Sequence, residues 1–196
     1  MKYFLEHEER QLLKTLRDSQ SGIRDKTIIE LTLNTGLRIQ ELRLLNVSDV
    51  WTGLALRDHL IVRPETAKRA KAREVFLNSH ISSVLKAFIR WKRTKGESLD
   101  PSAPLFISKK GGRTGQRTLQ DMVESWFKRA GLTDAKGEAS YTFHSLRHTF
   151  SMNLRRRGIG LERIQRLLGH ASLQATGIYL EPSREDLIDA VESLAA

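Results

Sequence analysis

Cysteine is missing from the 196 residues of this sequence. Disulfide bonds, thiolate nucleophiles and sulfur-ligated metals are therefore excluded. No apolar run approaches the roughly 18 residues that a membrane-spanning helix needs. The opening residues, MKYFLEHEERQ, also lack the apolar stretch of a signal peptide. We therefore expect a cytoplasmic protein with no membrane partner.

Negative charge is also scarce. The 23 Asp and Glu are outnumbered by 33 Lys and Arg, which gives a net charge of +10 and a pI near 10.1. Such an excess favours a polyanionic partner, most commonly a nucleic acid. The plainer alternative is a basic protein that binds nothing in particular. Hydrophobic residues at 39% and charged residues at 29% are typical of an ordinary globular protein.

The hydrophobic pattern predicts a mainly helical chain with a small antiparallel sheet in its first half, an α+β fold. Residues 1–196 are expected to form a single domain, because no internal repeat or long linker interrupts the pattern. Three strands are predicted, two in WTGLALRDHLIVRPE and one in REVFL, and Thr118 is the expected N-cap of the helix TLQDMVESWFKRAG. The other predicted helices are LEHEERQLLKTLRD, KTIIELTLNTG, LRIQELRLLN, SSVLKAFIRWKRTKG, HSLRHTFSMNLRRRG, LERIQRLLG, LQATGIYL and REDLIDAVESLAA.

The helix HSLRHTFSMNLRRRG carries an unusual polar stripe. At ~100° per residue, five side chains fall on one face: His144, Arg147, His148, Ser151 and Arg155. Leu146 and Phe150 lie on the other side and can anchor the helix to the core. Such a face is either solvated and cationic or arranged around an anion. A zinc site is disfavoured, because the interior of HSLRH contains an arginine rather than the glutamate of the zinc-helix signature.

Two further basic segments are candidates for function. In NTGLRIQEL, Arg38 precedes Glu41 by one helical turn. This pair is either an exposed ion pair of little value or an arginine that a carboxylate aims in one direction. In ETAKRAKAREV, the cluster of basic residues around a strand connection predicts contact with phosphate backbone, and one of its lysines is a candidate for a reaction centre.

The segment LLGHASLQATGIYLEP contains one of only three tyrosines in the chain. Tyr179 follows His170 by nine residues. By itself the tyrosine is expected to be one more half-buried ring. Taken with the other motifs, its hydroxyl becomes the candidate nucleophile.

Four motifs occur in a characteristic order: TGLRIQEL, a lysine on a strand hairpin, HSLRH and LLGHASLQATGIY. Their order and spacing resemble the catalytic domain of the tyrosine recombinase (phage integrase) family, over about residues 5–190. A single motif carries a high false-positive risk, whereas four in order are specific. The chain departs from the family pattern at Phe76, where a proline often stands, and this leaves Lys68 and Lys71 as alternatives for the hairpin lysine.

The resemblance implies that a tyrosine oxygen attacks a DNA phosphodiester and forms a 3′-phosphotyrosyl link, with neither metal nor ATP nor another cofactor. The residues carried over as catalytic are Arg38, Lys68, His144, Arg147, His170 and the nucleophile Tyr179. Those carried over as supporting are Glu41 and His148. The predicted DNA-binding residues are Arg69, Lys71, Arg73 and Arg155.

The resemblance also implies double-stranded DNA as a partner and a tetramer on paired DNA sites, formed from subunits that are monomers when free. The apolar face of REDLIDAVESLAA either covers its own core or docks on a neighbouring subunit. The family's usual N-terminal DNA-clamping domain is expected to be absent, so the chain is either a fragment or a minimal recombinase. Two rival functions are a type IB topoisomerase and a DNA-binding module with an inert site.

Overall fold

The computed structural model describes residues 2–18, 22–63 and 73–169. Within these residues the chain is mainly helical, with one short antiparallel sheet, and the predicted fold class is confirmed. The elements, in chain order, are α1 (Glu6–Asp18), α2 (Ile23–Thr35), α3 (Ile39–Arg43), a 3₁₀ turn (Val47–Asp49), β1 (His59–Val62), β2 (Arg73–Phe76), α4 (Ser79–Thr94), α5 (Gln116–Arg129), α6 (Phe143–Arg156) and α7 (Leu161–Leu168).

The sheet is a two-stranded antiparallel ribbon in which His59 lies opposite Phe76 and Val62 lies opposite Arg73. The prediction of a third strand in WTGLALRD is wrong. In the described residues this segment forms only an isolated bridge between Trp51 and Leu56. The reason is a tight turn in which the Thr52 N–H donates to the Ala55 carbonyl at 2.9 Å, so the segment folds back on itself instead of extending along β1.

Helix α2 lies at the centre of the molecule and packs against α4, α5 and α6. Apolar residues such as Ile28, Ile29 and Leu31 are fully buried. Buried threonines alternate with them, and their hydroxyls donate to carbonyls one turn earlier, as Thr32 does to Ile28 at 2.8 Å and Thr35 does to Leu31. Because these hydroxyls are satisfied within the helix, α2 is buried on nearly all sides.

Helix α5 begins earlier than expected. It starts at Gln116 with Gly115 as its N-cap in an extended conformation, so the prediction of Thr118 as N-cap is wrong. The Leu119 N–H already donates to the Gly115 carbonyl at 3.1 Å, which places Thr118 inside the first turn. Farther along α5, the indole N–H of Trp126 donates to Asp25 at 3.2 Å and ties this helix to α2.

Gly36 lies where α2, α6 and α7 come together. It ends α2 with a φ of 64°, and its N–H donates to the Thr32 carbonyl at 2.9 Å. A Cβ at this position would lie 2.5 Å from Phe150 Cδ1 of α6 and 2.9 Å from Leu168 Cδ2 of α7. Both the left-handed backbone and the lack of room require glycine. The ends of α2 and α7 therefore meet directly on α6.

No helix in the described ranges 2–18, 22–63 and 73–169 is long and apolar enough to cross a membrane. The two last predicted helices, LQATGIYL and REDLIDAVESLAA, lie outside these ranges, as do residues 64–72, which include the predicted hairpin tip.

Candidate active site

Arg38 is held in place by Glu41 at the start of α3. It is the N-cap of this helix, and its backbone N–H donates to Glu41 Oε2 at 2.8 Å. Its guanidinium Nη1 donates to Glu41 Oε1 at 2.9 Å. The side chain keeps 29% of its surface exposed, whereas that of Glu41 is 1% exposed. A buried carboxylate thus aims a partly exposed arginine, which agrees with the second of the two alternatives rather than with an exposed ion pair.

The Glu41 carboxylate remains charged despite its burial. Burial alone would raise the pKa of this carboxyl, but the hydrogen bond and charge of Arg73, together with those of Arg38, outweigh burial and hold the pKa below its ordinary value. The charge matters because an ionised carboxylate accepts charge-assisted hydrogen bonds, which are stronger than neutral ones.

Arg147 lies on α6 and is 8% exposed. Its Nη1 donates to the Gly36 carbonyl, and its Nη2 donates to the Leu168 carbonyl at 2.9 Å. These two carbonyls end α2 and α7, where helical partners are lacking. Arg147 therefore satisfies both helix ends and is itself fixed by them. One of its anchors, Gly36, lies two residues before Arg38 in the sequence.

His144 lies in the first turn of α6 and is exposed at the surface. Partial burial lowers the pKa of His144, and the charges of Arg147 and Arg38 lower it further. This electrostatic coupling indicates that the three side chains share one site. A neutral imidazole is the form that accepts a proton, so His144 is suited to act as a base near neutral pH.

His148 lies one turn after His144 and is 6% exposed. Burial, reinforced by nearby positive charge that includes Arg147, lowers the pKa of His148 to about 4. The ring is therefore neutral across the physiological range. Its position inside the protein agrees with a supporting rather than a reacting role, which stays a prediction.

The depressed pKa of His148 predicts that acid weakens the fold. Since the folded pKa of about 4 is below the ordinary value of about 6.5, the unfolded chain binds more protons between these pH values. The free energy of unfolding should then fall as pH drops from 6.5 to 4, by an amount on the order of 1–3 kcal/mol. Urea unfolding at several pH values measures this slope. It should be shallower in His148→Gln, and an equal slope in both proteins would contradict the assignment.

The polar stripe of α6 is not a solvated cationic face. Arg147, His148 and Ser151 are buried, and the Ser151 hydroxyl donates to the Arg147 carbonyl at 3.2 Å. Leu146 and Phe150 are also buried, as predicted, so the helix is enclosed on both sides. Arg155 is half-buried in the last turn, and its contact with DNA stays a prediction.

Several predicted site residues lie outside the described ranges: Lys68, Arg69, Lys71, His170 and Tyr179. Their flanking residues are described. The hairpin segment is bounded by β1 and by β2, which begins at Arg73, and the segment with His170 follows Gly169 at the end of α7. The structure therefore brings together Arg38, Glu41, His144, Arg147 and His148.

One contact was missed by sequence reasoning. Arg73, predicted to bind DNA, turns its guanidinium to Glu41, and its side chain is only 14% exposed. The two residues are 32 positions apart, and no local spacing pairs them. The strand pattern of REVFL does place Arg73 at the start of a strand. It does not show which carboxylate pairs with Arg73.

In the described residues, no group of three or more His, Asp or Glu side chains is arranged to hold a metal ion. The cations of the site are Arg38 and Arg147. Each can donate paired, charge-assisted hydrogen bonds to the oxygens of a phosphate.

Solved structures of similar fold are DNA recombinases. The XerA recombinase matches 100% of this chain with a TM-score of 0.80 at 26% identity, and the match covers 66% of that protein. The XerH site-specific recombinase, in a post-cleavage complex with its palindromic difH substrate, matches 99% of this chain with a TM-score of 0.78 at 24% identity, over 53% of its own length. The fold is that of a tyrosine recombinase catalytic domain.

Sequence comparison leads to the same class. The model of the phage integrase family matches residues 2–186, and the chain belongs to this family. Tyrosine recombinase XerC of Thermodesulfovibrio yellowstonii is 37% identical over 174 residues, which are 86% of this chain and 54% of that protein. XerC of Actinobacillus pleuropneumoniae is 31% identical over 86% of this chain and 51% of its own length. The chain thus spans about half the length of these relatives.

Proposed function

We propose that this chain is the catalytic part of a site-specific recombinase that cleaves and rejoins double-stranded DNA through a 3′-phosphotyrosyl link. The observation that carries the proposal is the convergence of Arg38, at the start of α3, with His144 and Arg147 of α6 around one partly open site. Family membership and the net charge of +10 support it independently, since a basic protein attracts a polyanion.

The two arginines would stabilise the transition state. Attack on a phosphodiester gives a five-coordinate phosphorus with negative charge on its two non-bridging oxygens. Arg38 and Arg147 supply fixed positive charges and directed N–H donors for these oxygens, in the role that a metal ion has in other phosphoryl-transfer sites. Because both guanidinium groups are held by internal hydrogen bonds, little reorganisation is needed when the charge develops.

Tyr179 is the proposed nucleophile. Its Oη would bond to phosphorus while the bond from phosphorus to the 5′-oxygen breaks. A tyrosine hydroxyl has an ordinary pKa of about 10 and needs a base near neutral pH. His144 is suited to take this proton, because its pKa is lowered by burial and by the two arginines. His170 would donate a hydrogen bond to a phosphate oxygen.

The leaving 5′-oxygen needs a proton, and Lys68 is the proposed donor, with Lys71 as the alternative on the same hairpin. The antiparallel pairing of β1 and β2 supports this, because it brings both ends of the segment that carries the lysine to the edge of the site.

A 5′-hydroxyl of the partner strand would then attack the phosphotyrosine, release Tyr179 and join the new ends. The phosphotyrosyl bond retains the energy of the phosphodiester, so neither ATP nor metal is needed.

Solved relatives support DNA as the partner. XerH is described with its difH substrate, and the Tn1549 transposon integrase, 21% identical, is described with transposon right end DNA. We propose that this chain acts as a tetramer on paired sites. Residues 184–196 are proposed to dock on a neighbouring subunit.

The test is a nicked double-stranded substrate that contains the cognate core site and loses a short fragment after cleavage. Loss of the fragment removes the attacking 5′-hydroxyl, so the covalent intermediate accumulates. We expect a protein–DNA band that survives SDS and forms equally in EDTA and in magnesium. A band that appears only with magnesium would contradict the mechanism, and the absence of any band would contradict the function.

A further inference from the structure

A second arginine reaches the carboxylate that aims Arg38. Arg73, the first residue of β2, donates from Nη1 to Glu41 Oε1 at 2.6 Å and from Nη2 to Oε2 at 2.9 Å. Arg38 donates to the same two oxygens, through Nη1 and through its backbone N–H. Each oxygen of Glu41 therefore accepts one hydrogen bond from each arginine, and the buried carboxylate is fully paired.

The geometry divides the two arginines into different roles. The planar fork of Arg73 takes the paired, two-bond arrangement with the carboxylate, which is the strongest geometry for this pair. The guanidinium of Arg38 is left with a single bond to Glu41, and its exposed remainder is available to a phosphate. If Arg73 were absent, Glu41 would be a buried carboxylate with Arg38 as its main cation. Such a carboxylate draws both N–H groups of that guanidinium to itself.

Arg73 also touches the segment that leads to His170. Gly169 ends α7 with a φ of 63°, and a Cβ there would lie 2.8 Å from Arg73 Cδ and 3.0 Å from its Nε. The backbone thus approaches the arginine stem more closely than a side chain would allow. The Arg73 side chain thus links three parts of the protein. It extends from β2, it binds the Glu41 carboxylate that holds Arg38, and it lies against Gly169, the residue before His170.

We propose that Arg73 is a positioning residue that acts through Glu41 to keep the Arg38 guanidinium directed at the scissile phosphate. This inference rests on the proposed function. It replaces direct DNA contact, the role that the sequence predicts for Arg73, because the charge of Arg73 is already paired with the buried Glu41 carboxylate. Arg147, by contrast, is held by uncharged carbonyls, so its positive charge stays available to a phosphate.

The test compares cleavage and binding in Arg73→Ala. We expect the cleavage rate at saturating DNA to fall by about 10- to 100-fold, by analogy with the loss of activity when the hydrogen-bond partners of metal ligands are removed. The Kd for DNA and its salt dependence should stay unchanged. If Arg73 instead binds a phosphate, the Kd rises, the slope of log K against log salt falls by about one, and the saturated rate is retained. That outcome overturns the proposal.

A double-mutant cycle separates positioning from general support of the fold. In an Arg38→Ala background, Arg73→Ala should cost little further rate, since the group that it positions is gone. Arg63→Ala is the matched control, because Arg63 borders the same hairpin but pairs with Asp49 at 3.2 Å. Any loss of cleavage rate that Arg63→Ala causes should be the same with and without Arg38. If Arg73→Ala also lowers the rate equally in both backgrounds, the proposal is overturned.

Arg73→Lys keeps the inference testable if Arg73→Ala does not fold. Lysine retains the charge beside Glu41 but cannot donate in the paired geometry. The saturated cleavage rate of Arg73→Lys should therefore lie between those of wild type and Arg73→Ala. If only the lysine variant folds, its rate should lie below that of wild type. A wild-type rate in both variants, or in Arg73→Lys where only that variant folds, overturns the inference alone. A wild-type protein that forms no covalent complex overturns the proposed function and the inference with it.

Discussion

Tyr179→Phe should form no SDS-resistant complex with the nicked substrate, while it binds the same DNA with the affinity of wild type. The substitution removes a single oxygen, the atom proposed to bond to phosphorus, and phenylalanine offers no other nucleophile. Binding should survive because the basic side chains that contact phosphate are unchanged. The covalent band on a denaturing gel and the Kd from a filter or gel-shift assay measure the two quantities separately.

The other two tyrosines make this prediction specific. The Tyr141 hydroxyl donates to Glu8 at 2.6 Å, and its ring packs against Phe4. Burial and the hydrogen bond to Glu8 raise the pKa of Tyr141 above its ordinary value, which makes it a poorer nucleophile. The Tyr3 ring lies under the Arg156 guanidinium at 5.6 Å.

Tyr141→Phe is the matched control for Tyr179→Phe. It removes the same atom from a half-buried ring that packs against the core, where the loss of one hydrogen bond costs about 0.5–1.5 kcal/mol. This variant should be somewhat less stable and should still form the covalent band. The assignment of Tyr179 as nucleophile would be wrong if the covalent band persists in Tyr179→Phe. It would also be wrong if the band disappears in Tyr141→Phe while that variant remains folded.

Arg38→Ala should lower the rate of covalent complex formation by about 10²- to 10³-fold, the usual effect of removing one preorganised donor from a developing negative charge. The fold should tolerate the change, because Glu41 keeps both hydrogen bonds from Arg73 and is not left as an unpaired buried charge. Single-turnover cleavage at saturating DNA measures the rate, and urea unfolding measures the stability.

Arg90→Ala is the control for the loss of a positive charge. Arg90 is exposed on α4, where it lines a groove with Trp51 and Leu54, and none of the described site residues lines this groove. Its removal lowers the net charge as much as Arg38→Ala does, and the saturated cleavage rate should remain that of wild type. An equal loss of rate in both variants would mean that overall charge, rather than a directed donor at residue 38, governs cleavage.

Parts of the site follow from local geometry alone. The i, i+3 spacing of Arg38 and Glu41 brings their side chains together on one short helix, and the same spacing places His144 and Arg147 on one face of α6. Both arrangements were expected from the sequence and are present in the structure. The helical periods of α1, α4 and α5 were likewise readable, since burial on an amphipathic helix repeats about every 3.6 residues.

Two predictions failed because they depended on another segment of the same chain. The alternating residues of WTGLALRD have the pattern of a strand, but a strand exists only where a second extended segment accepts its hydrogen bonds, and here the segment bends back through Thr52. Thr118 has the chemistry of an N-cap, yet the loop that precedes it sets the first turn of α5 at Gly115.

The sequence by itself determined the family, the helices of the described residues and the identity of the candidate reactive side chains, because these depend on residue type and short spacing. Only the tertiary structure decided how they are held. It buried the stripe of α6, bound Arg147 to the ends of α2 and α7 at Gly36 and Leu168, and brought Arg73 to Glu41 across 32 residues. Such contacts join elements that are distant in the chain, and their geometry is fixed only when the whole core packs.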